Sequence, residues 1–178
     1  MPTSRAFAKM RKAWGTLGTA MTNTSDLTPE TLLDSARTTV TAVAAMLLAR
    51  ALKLPEYYWA PISAIVIIQS TINPRTVAWQ RFVGTALGAA VGALIATFFS
   101  ASALVYAAGI FLCGALCALL RLRGAYRFAA ITVSIILLIT RGRPPWIVAS
   151  HRFVEVSLGI AVALAVTQLW PHRLKKTG

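Results

Sequence analysis

The sequence predicts an all-α fold: a polytopic membrane protein of six transmembrane helices arranged as a 3+3 inverted repeat. Three observations lead there. Apolar residues make up 57% of the 178-residue chain, charged residues only 13%, and the mean hydropathy is +0.66, whereas soluble domains are about 45–50% apolar. A chain of this length cannot bury so many apolar side chains in one water-facing core, so most must face lipid. Six apolar stretches, separated by basic or Pro/Gly-containing joints, approach the roughly 20 residues that a helix needs to cross the hydrocarbon. The chain also matches itself at a spacing of 71 residues.

The stretches are 35–54, 57–72, 80–99, 103–120, 125–140 and 152–170. The first has a clear start, because Thr28 suits the cap, Pro29 the first helical position and Glu30 the first turn. Leu54-Pro55 ends it. Several of the others are near the short edge of the spanning range, so flanking polar residues must snorkel or the bilayer must thin. Ahead of them, residues 1–27 form a basic tail or a surface helix. Phe7, Met10, Trp14, Leu17 and Met21 recur at helical steps between Arg5, Lys9, Arg11 and Lys12, as in a helix lying on an anionic membrane. No apolar run there matches a cleavable signal peptide, so the segment is expected to stay. The membrane domain then covers 28–171, with repeat halves at 35–99 and 103–170, and 172–178 form a basic cytoplasmic tail.

Charge sets the direction. With the N-terminus inside, Arg5, Lys9, Arg11, Lys12, Arg37, Arg75, Arg81, Arg121, Arg123, Arg127, Arg173, Lys175 and Lys176 fall on the cytoplasmic side. Arg50, Lys53, Arg141, Arg143 and Arg152 fall on the other. Thirteen against five places both termini in the cytoplasm. Tyr57, Tyr58, Trp59 and Trp146 at outer boundaries, with Trp79 and Trp170 at inner ones, agree with aromatic belts. The net charge of +13 points to a membrane surface, because the basic residues punctuate apolar runs and build no soluble face for nucleic acid.

The 71-residue repeat gives 16 identities over positions 44–91, among them Arg50/Arg121, Ser63/Ser134, Pro74/Pro145, Gly88/Gly159, and Arg81-Phe82-Val83 with Arg152-Phe153-Val154. Each copy holds three stretches, an odd number, so the second must enter from the opposite side. Inverted repeats of this kind build many secondary transporters, whose halves rock about a site near the midplane.

Five carboxylates and two histidines leave no metal cluster and no cofactor motif. Nor is there the nucleophile and base that a lipid-acting enzyme would need. Glu155 is the one acid well inside a stretch, and it stands where the first copy has Gly84. It reads either as a proton-coupling group or as a first-turn residue paired with Arg152. Arg37, Arg81 and Arg152 sit just inside the stretch starts, where they either bind an organic anion or snorkel. The second stretch carries Ser63, Gln69, Ser70 and Thr71, with Asn73-Pro74 following and Gln69 and Asn73 on one face, a polar stripe suited to a substrate route or to helix-to-helix hydrogen bonds. Gly84, Gly88 and Gly92 make a close-packing face, within the chain or between subunits. Cys113 and Cys117 read as small apolar residues.

The segments Tyr58-Trp59-Ala60-Pro61-Ile62-Ser63-Ala64, Ile68-Gln69-Ser70 and Arg81-Phe82-Val83-Gly84-Thr85-Ala86-Leu87-Gly88 resemble the fusaric acid resistance family of inner-membrane proteins. So do Arg152 to Glu155, Leu158-Gly159 and Trp170-Pro171. The likeness runs over about residues 35–171. It implies an inner-membrane exporter of aromatic carboxylic acids driven by the proton gradient, with a small organic anion as substrate and the bilayer as its surroundings. Larger relatives carry two six-span blocks and soluble portions. A single block therefore implies a homo-oligomer, for which Gly88 is the expected contact. The competing expectation is a structural or assembly membrane protein that packs through the same glycines.

Overall fold

The computed structural model describes residues 29–100, 102–139 and 142–170. Within them the chain is all-helical. The helices are α1 (Pro29–Ala51), α2 (Trp59–Ile68), α3 (Pro74–Phe98), α4 (Ala103–Leu119), α5 (Tyr126–Leu138) and α6 (Pro145–Leu169). The expected basic tails at 1–27 and 172–178, and the Thr28 cap, lie outside the described residues. The chain divides at Arg37 and Thr38 into two units, Met1–Arg37 and Thr38–Gly178. Arg37, in the first, is buried. α1 runs across the boundary, and the packing and the site described below concern the second.

α1, α3 and α6 are long and apolar enough to cross a membrane. α2 has 10 residues and α5 has 13, about 15 and 20 Å of helix at 1.5 Å per residue, so the stretches at 57–72 and 125–140 hold short helices flanked by turns. The lost length went to their neighbours. α3 and α6 start at Pro74 and Pro145, six or seven residues ahead of the apolar stretches, because a proline at the first helical position has the right φ and no N–H to leave unpaired. Asn73 reinforces the first of these starts, its side-chain Oδ1 accepting from the Arg75 amide at 2.9 Å. Asn73 thus belongs to the cap of α3, and Gln69 is the C-cap of α2; the two do not share a helix face.

The ends of α1 and α4 are alike. Leu54 N–H donates to Ala49 O and Lys53 N–H to Arg50 O, while Leu122 N–H donates to Cys117 O and Arg121 N–H to Ala118 O. Each is a Schellman closure with a left-handed residue at its turn, Lys53 at φ 53° and Arg121 at φ 57°.

The 71-residue spacing reappears in the helices. α3 and α6 each have 25 residues, and their first and last residues stand 71 apart. Every buried position of α6 (Val148, Ala149, Arg152, Glu155, Val156, Gly159, Ile160 and Ala163) corresponds at that spacing to a buried position of α3. The two run antiparallel. Val77 and Ala78, early in α3, share a core cluster with Val156, Ile160 and Ala163, whereas Ala89, Ala93 and Ala96 cluster with Val148 and Ala149, early in α6.

Each short helix lies against one of these long ones. A Cβ added at Gly88 would overlap the Ala129 carbonyl oxygen, and one at Gly84 the Ala125 carbonyl oxygen, so α5 seats on the glycine face of α3; one at Gly159 would overlap the Ala60 carbonyl oxygen, so α2 seats on α6. The Gly84, Gly88 and Gly92 face is therefore used within the chain, and a contact between subunits must use another surface. Ala45, Ala49, Ala60, Ala64, Ala129 and Ala163 are fully buried, and side chains this small let helices meet where no hydrophobic effect drives them together. Outside, Leu104, Phe111 and Leu119 of α4 are exposed by 79–83%, a surface that suits hydrocarbon. Cys113 and Cys117 are buried, free thiols in an apolar cluster with Val91, Ala129 and Val133.

Candidate functional site

The long helices α3 and α6 carry charged side chains into the buried interior of the bundle. Arg81 lies seven residues after Pro74 and Arg152 seven after Pro145, about 10 Å along the helix in each case. The early starts of α3 and α6 thus move both arginines away from the helix entrances, and they move Glu155 from a first turn to ten residues inside its helix. Arg81 is 8% exposed, Arg152 3% and Glu155 not at all. Because α3 and α6 are antiparallel and in register, the two guanidiniums approach the middle of the pair from opposite ends. A buried cation costs several kcal/mol unless something satisfies it.

What satisfies them is mostly aromatic. The Arg152 guanidinium carbon lies 3.1 Å from the Trp59 ring centroid, and that of Arg81 lies 5.1 Å from the Phe128 centroid. Phe128 has Arg127 at 4.6 Å as well. Trp59 is the first residue of α2 and Phe128 is near the start of α5, so the two stacks are counterparts. Neither ring was expected as a partner. At 71 residues Trp59 matches Ala130, because the equivalence of the short helices runs at 69 and pairs Trp59 with Phe128, Ala60 with Ala129 and Ser63 with Thr132. The insertions that change the spacing fall in the connecting turns. The pairing is visible in the sequence once the register steps between helices.

Polar contacts complete the centre. Arg81 Nη2 donates to Ser63 Oγ at 3.1 Å, and the Ser63 hydroxyl donates to the Trp59 carbonyl at 2.8 Å. Glu155 Oε1 accepts from the Glu56 amide at 2.9 Å, just before α2, and Glu56 Oε2 accepts from Trp59 Nε1 at 3.0 Å. Arg152 Nε and Nη1 and Glu155 Oε2 are buried with no hydrogen-bond partner. Those atoms lie within one turn of α6, yet the guanidinium stacks on Trp59.

Of the polar stripe expected in the second stretch, only Ser63 reaches this centre. Gln69 Nε2 donates to Thr38 Oγ1 at 2.9 Å, tying the end of α2 to α1, and Asn73 caps α3. Gly84 stands at the place equivalent to Glu155, in contact with the start of α5. Among the described residues no group of three or more His, Cys, Asp or Glu is placed to hold a metal ion.

No curated protein and no solved structure matches the chain. A family model described as fusaric acid resistance protein-like matches residues 43–166, a span that holds α2 to α5 whole, the end of α1, most of α6, and every residue of the centre. The match covers well over half of a chain whose all-helical, multi-pass architecture has now been described, and the protein belongs to the fusaric acid resistance protein-like family.

Proposed function

We propose that the protein is a transporter that exports aromatic carboxylic acids across a bacterial inner membrane at the expense of the proton gradient, with both termini in the cytoplasm and no enzymatic step or cofactor. The observation that carries this reading is the pair of buried arginines, Arg81 and Arg152, at equivalent depths in two antiparallel helices. Guanidiniums kept that far inside an apolar bundle are costly, and they suit a substrate that brings a negative charge. Their aromatic neighbours suit a substrate that brings a ring. The antiparallel, equal-length α3 and α6 with matching burial support an inverted repeat, and short helices that start beside the charged centre are a form that transporters use near the midplane. Arg81, Arg152 and Ser63 line the centre of the route, Glu155 couples it to protons, and Gln69 and Asn73 lie at its cytoplasmic end.

A second copy of the chain is the expected partner, docking through a surface other than the α3 glycines. The assembly reading loses its main support, because α5 takes up the glycine face within the chain.

The test is transport of labelled benzoate and hydroxybenzoates into proteoliposomes, with and without an imposed pH gradient. The reading expects accumulation that collapses when the gradient is dissipated, and R81A and R152A each lowering it at least tenfold. Equal flux in empty liposomes and proteoliposomes would remove it.

A further inference from the structure

α2 and α5 are equivalent short helices, but their first turns are held differently. At the start of α5, the Ala125 amide donates to the Leu122 carbonyl at 2.9 Å, inside its own turn. At the equivalent place before α2, the Glu56 amide donates to Glu155 on another helix. The helix start on the α5 side needs no acid, and its counterpart to Glu155 is Gly84. The acid on the α2 side therefore needs another explanation than helix initiation.

Around Glu155 the hydrogen bonding is left incomplete in both signs. Arg152 is 97% buried, and its Nε and Nη1 lack partners; the second oxygen of Glu155, Oε2, lacks one too. The ten-residue α2 presents its amide end to this spot, where the Glu56 N–H already holds a carboxylate oxygen and the helix dipole favours an anion. A backbone amide, a guanidinium and a tryptophan ring converge there, a combination that fits the carboxylate of an aromatic acid.

We propose that the substrate carboxylate binds to the Glu56 amide and the Arg152 guanidinium by displacing the Glu155 carboxylate, which stands in this structure as the chain's own copy of the ligand. The inference rests on the transporter reading and names the seat of its substrate.

The displaced acid has nowhere favourable to keep its charge. Glu56 and Arg152 act on Glu155 directly, Arg81 from α3 and Tyr58 from the turn before α2 act on Arg152, and Arg127 from α5 acts on Arg81. With the substrate anion on Arg152, and with Arg81 hydrogen-bonded to Ser63 and stacked on Phe128, an ionised Glu155 would stand in the apolar bundle with no cation to pair with, so it takes a proton from water as it leaves. The site then carries the same net charge whether its own acid or the substrate occupies it. Anion binding and proton binding become linked one to one.

The experiment is calorimetric titration of the purified full chain in detergent with benzoate, which stays ionised between pH 6 and 8, in pairs of buffers with different heats of ionisation. The expected result for the wild type is uptake approaching one proton per benzoate toward the alkaline end, with affinity falling about tenfold per pH unit there. E155Q should bind with no proton uptake and a flat pH profile, and since it keeps His151 it separates that imidazole from Glu155. Benzoate binding by the wild type without proton uptake overturns the displacement and leaves the transporter reading standing, and so does wild-type linkage persisting in E155Q. Absence of benzoate binding overturns both. The wild-type proton count needs no variant, so a poorly folding E155Q does not blunt the test.

Discussion

Among the described residues the Arg81 guanidinium makes one side-chain hydrogen bond, to Ser63, whose own hydroxyl proton is engaged by the Trp59 carbonyl. Ser63→Ala removes the acceptor and leaves a buried cationic donor with only the Phe128 ring, at a cost of about 1–3 kcal/mol. The midpoint of thermal unfolding in detergent should fall accordingly, and Ser63→Thr, which keeps a hydroxyl, should recover most of it. Arg81→Lys should not substitute for arginine, because an ammonium cannot stack flat on Phe128 while reaching Ser63; flux in proteoliposomes should stay near the level of R81A. The residues of this centre were legible in the sequence as types, since Arg81, Arg152, Glu155 and Ser63 stand out as polar groups in apolar runs. Their partners were not. A backbone amide such as that of Glu56 carries no sequence signature, and the rings of Trp59 and Phe128 read equally well as membrane-interface aromatics.

Elements were easier to read than their ends. The runs of apolar residues located all six helices of the described residues, but hydropathy cannot tell a polar first turn from a loop, so the prolines at 74 and 145 had to mark the true starts. For the same reason Arg81 and Arg152 were expected near helix entrances. The glycine faces make a sharper prediction. Gly88→Ala and Gly159→Ala each force a methyl into a backbone carbonyl of a short helix, and each should destabilise by about 1–3 kcal/mol. Gly114→Ala serves as the control, since a Cβ there meets only the edge of the Tyr126 ring at 3.2 Å. Folded yield by size-exclusion profile should fall for the first two and stay near wild type for the third. At the ends of α1 and α4, Lys53→Gly and Arg121→Gly relieve a left-handed conformation that L-residues resist, and each should raise stability by about 1 kcal/mol.

For the whole molecule, the repeat and the charge asymmetry were visible before any coordinates, because duplication and insertion leave their marks in composition. How the copies engage was not. Nothing in the spacing of the second copy says that its short helix seats on the long helix of the first. Reporter fusions after residues 101 and 178 test the orientation, with an external signal expected at the first and a cytoplasmic one at the second. Two cytoplasmic signals would rule out an inverted arrangement and with it the counterpart relation of Arg81 to Arg152.

The exchange of short helices between the copies bears on how the chain is made. α2 leaves the ribosome long before α6, yet Gly159, on which Ala60 rests, belongs to the last helix synthesised. A ten-residue helix has too little apolar length to hold itself across a bilayer, so α2 must wait at the insertion machinery or at the membrane surface until its seat arrives. α3 waits a shorter time for α5. Neither half is then an independent folding unit, and release of the nascent chain before α6 should leave a product that quality-control proteases clear. Two plasmids encoding residues 1–101 and 102–178 should restore membrane-inserted protein only when expressed together, each fragment supplying the surface on which the other's short helix settles.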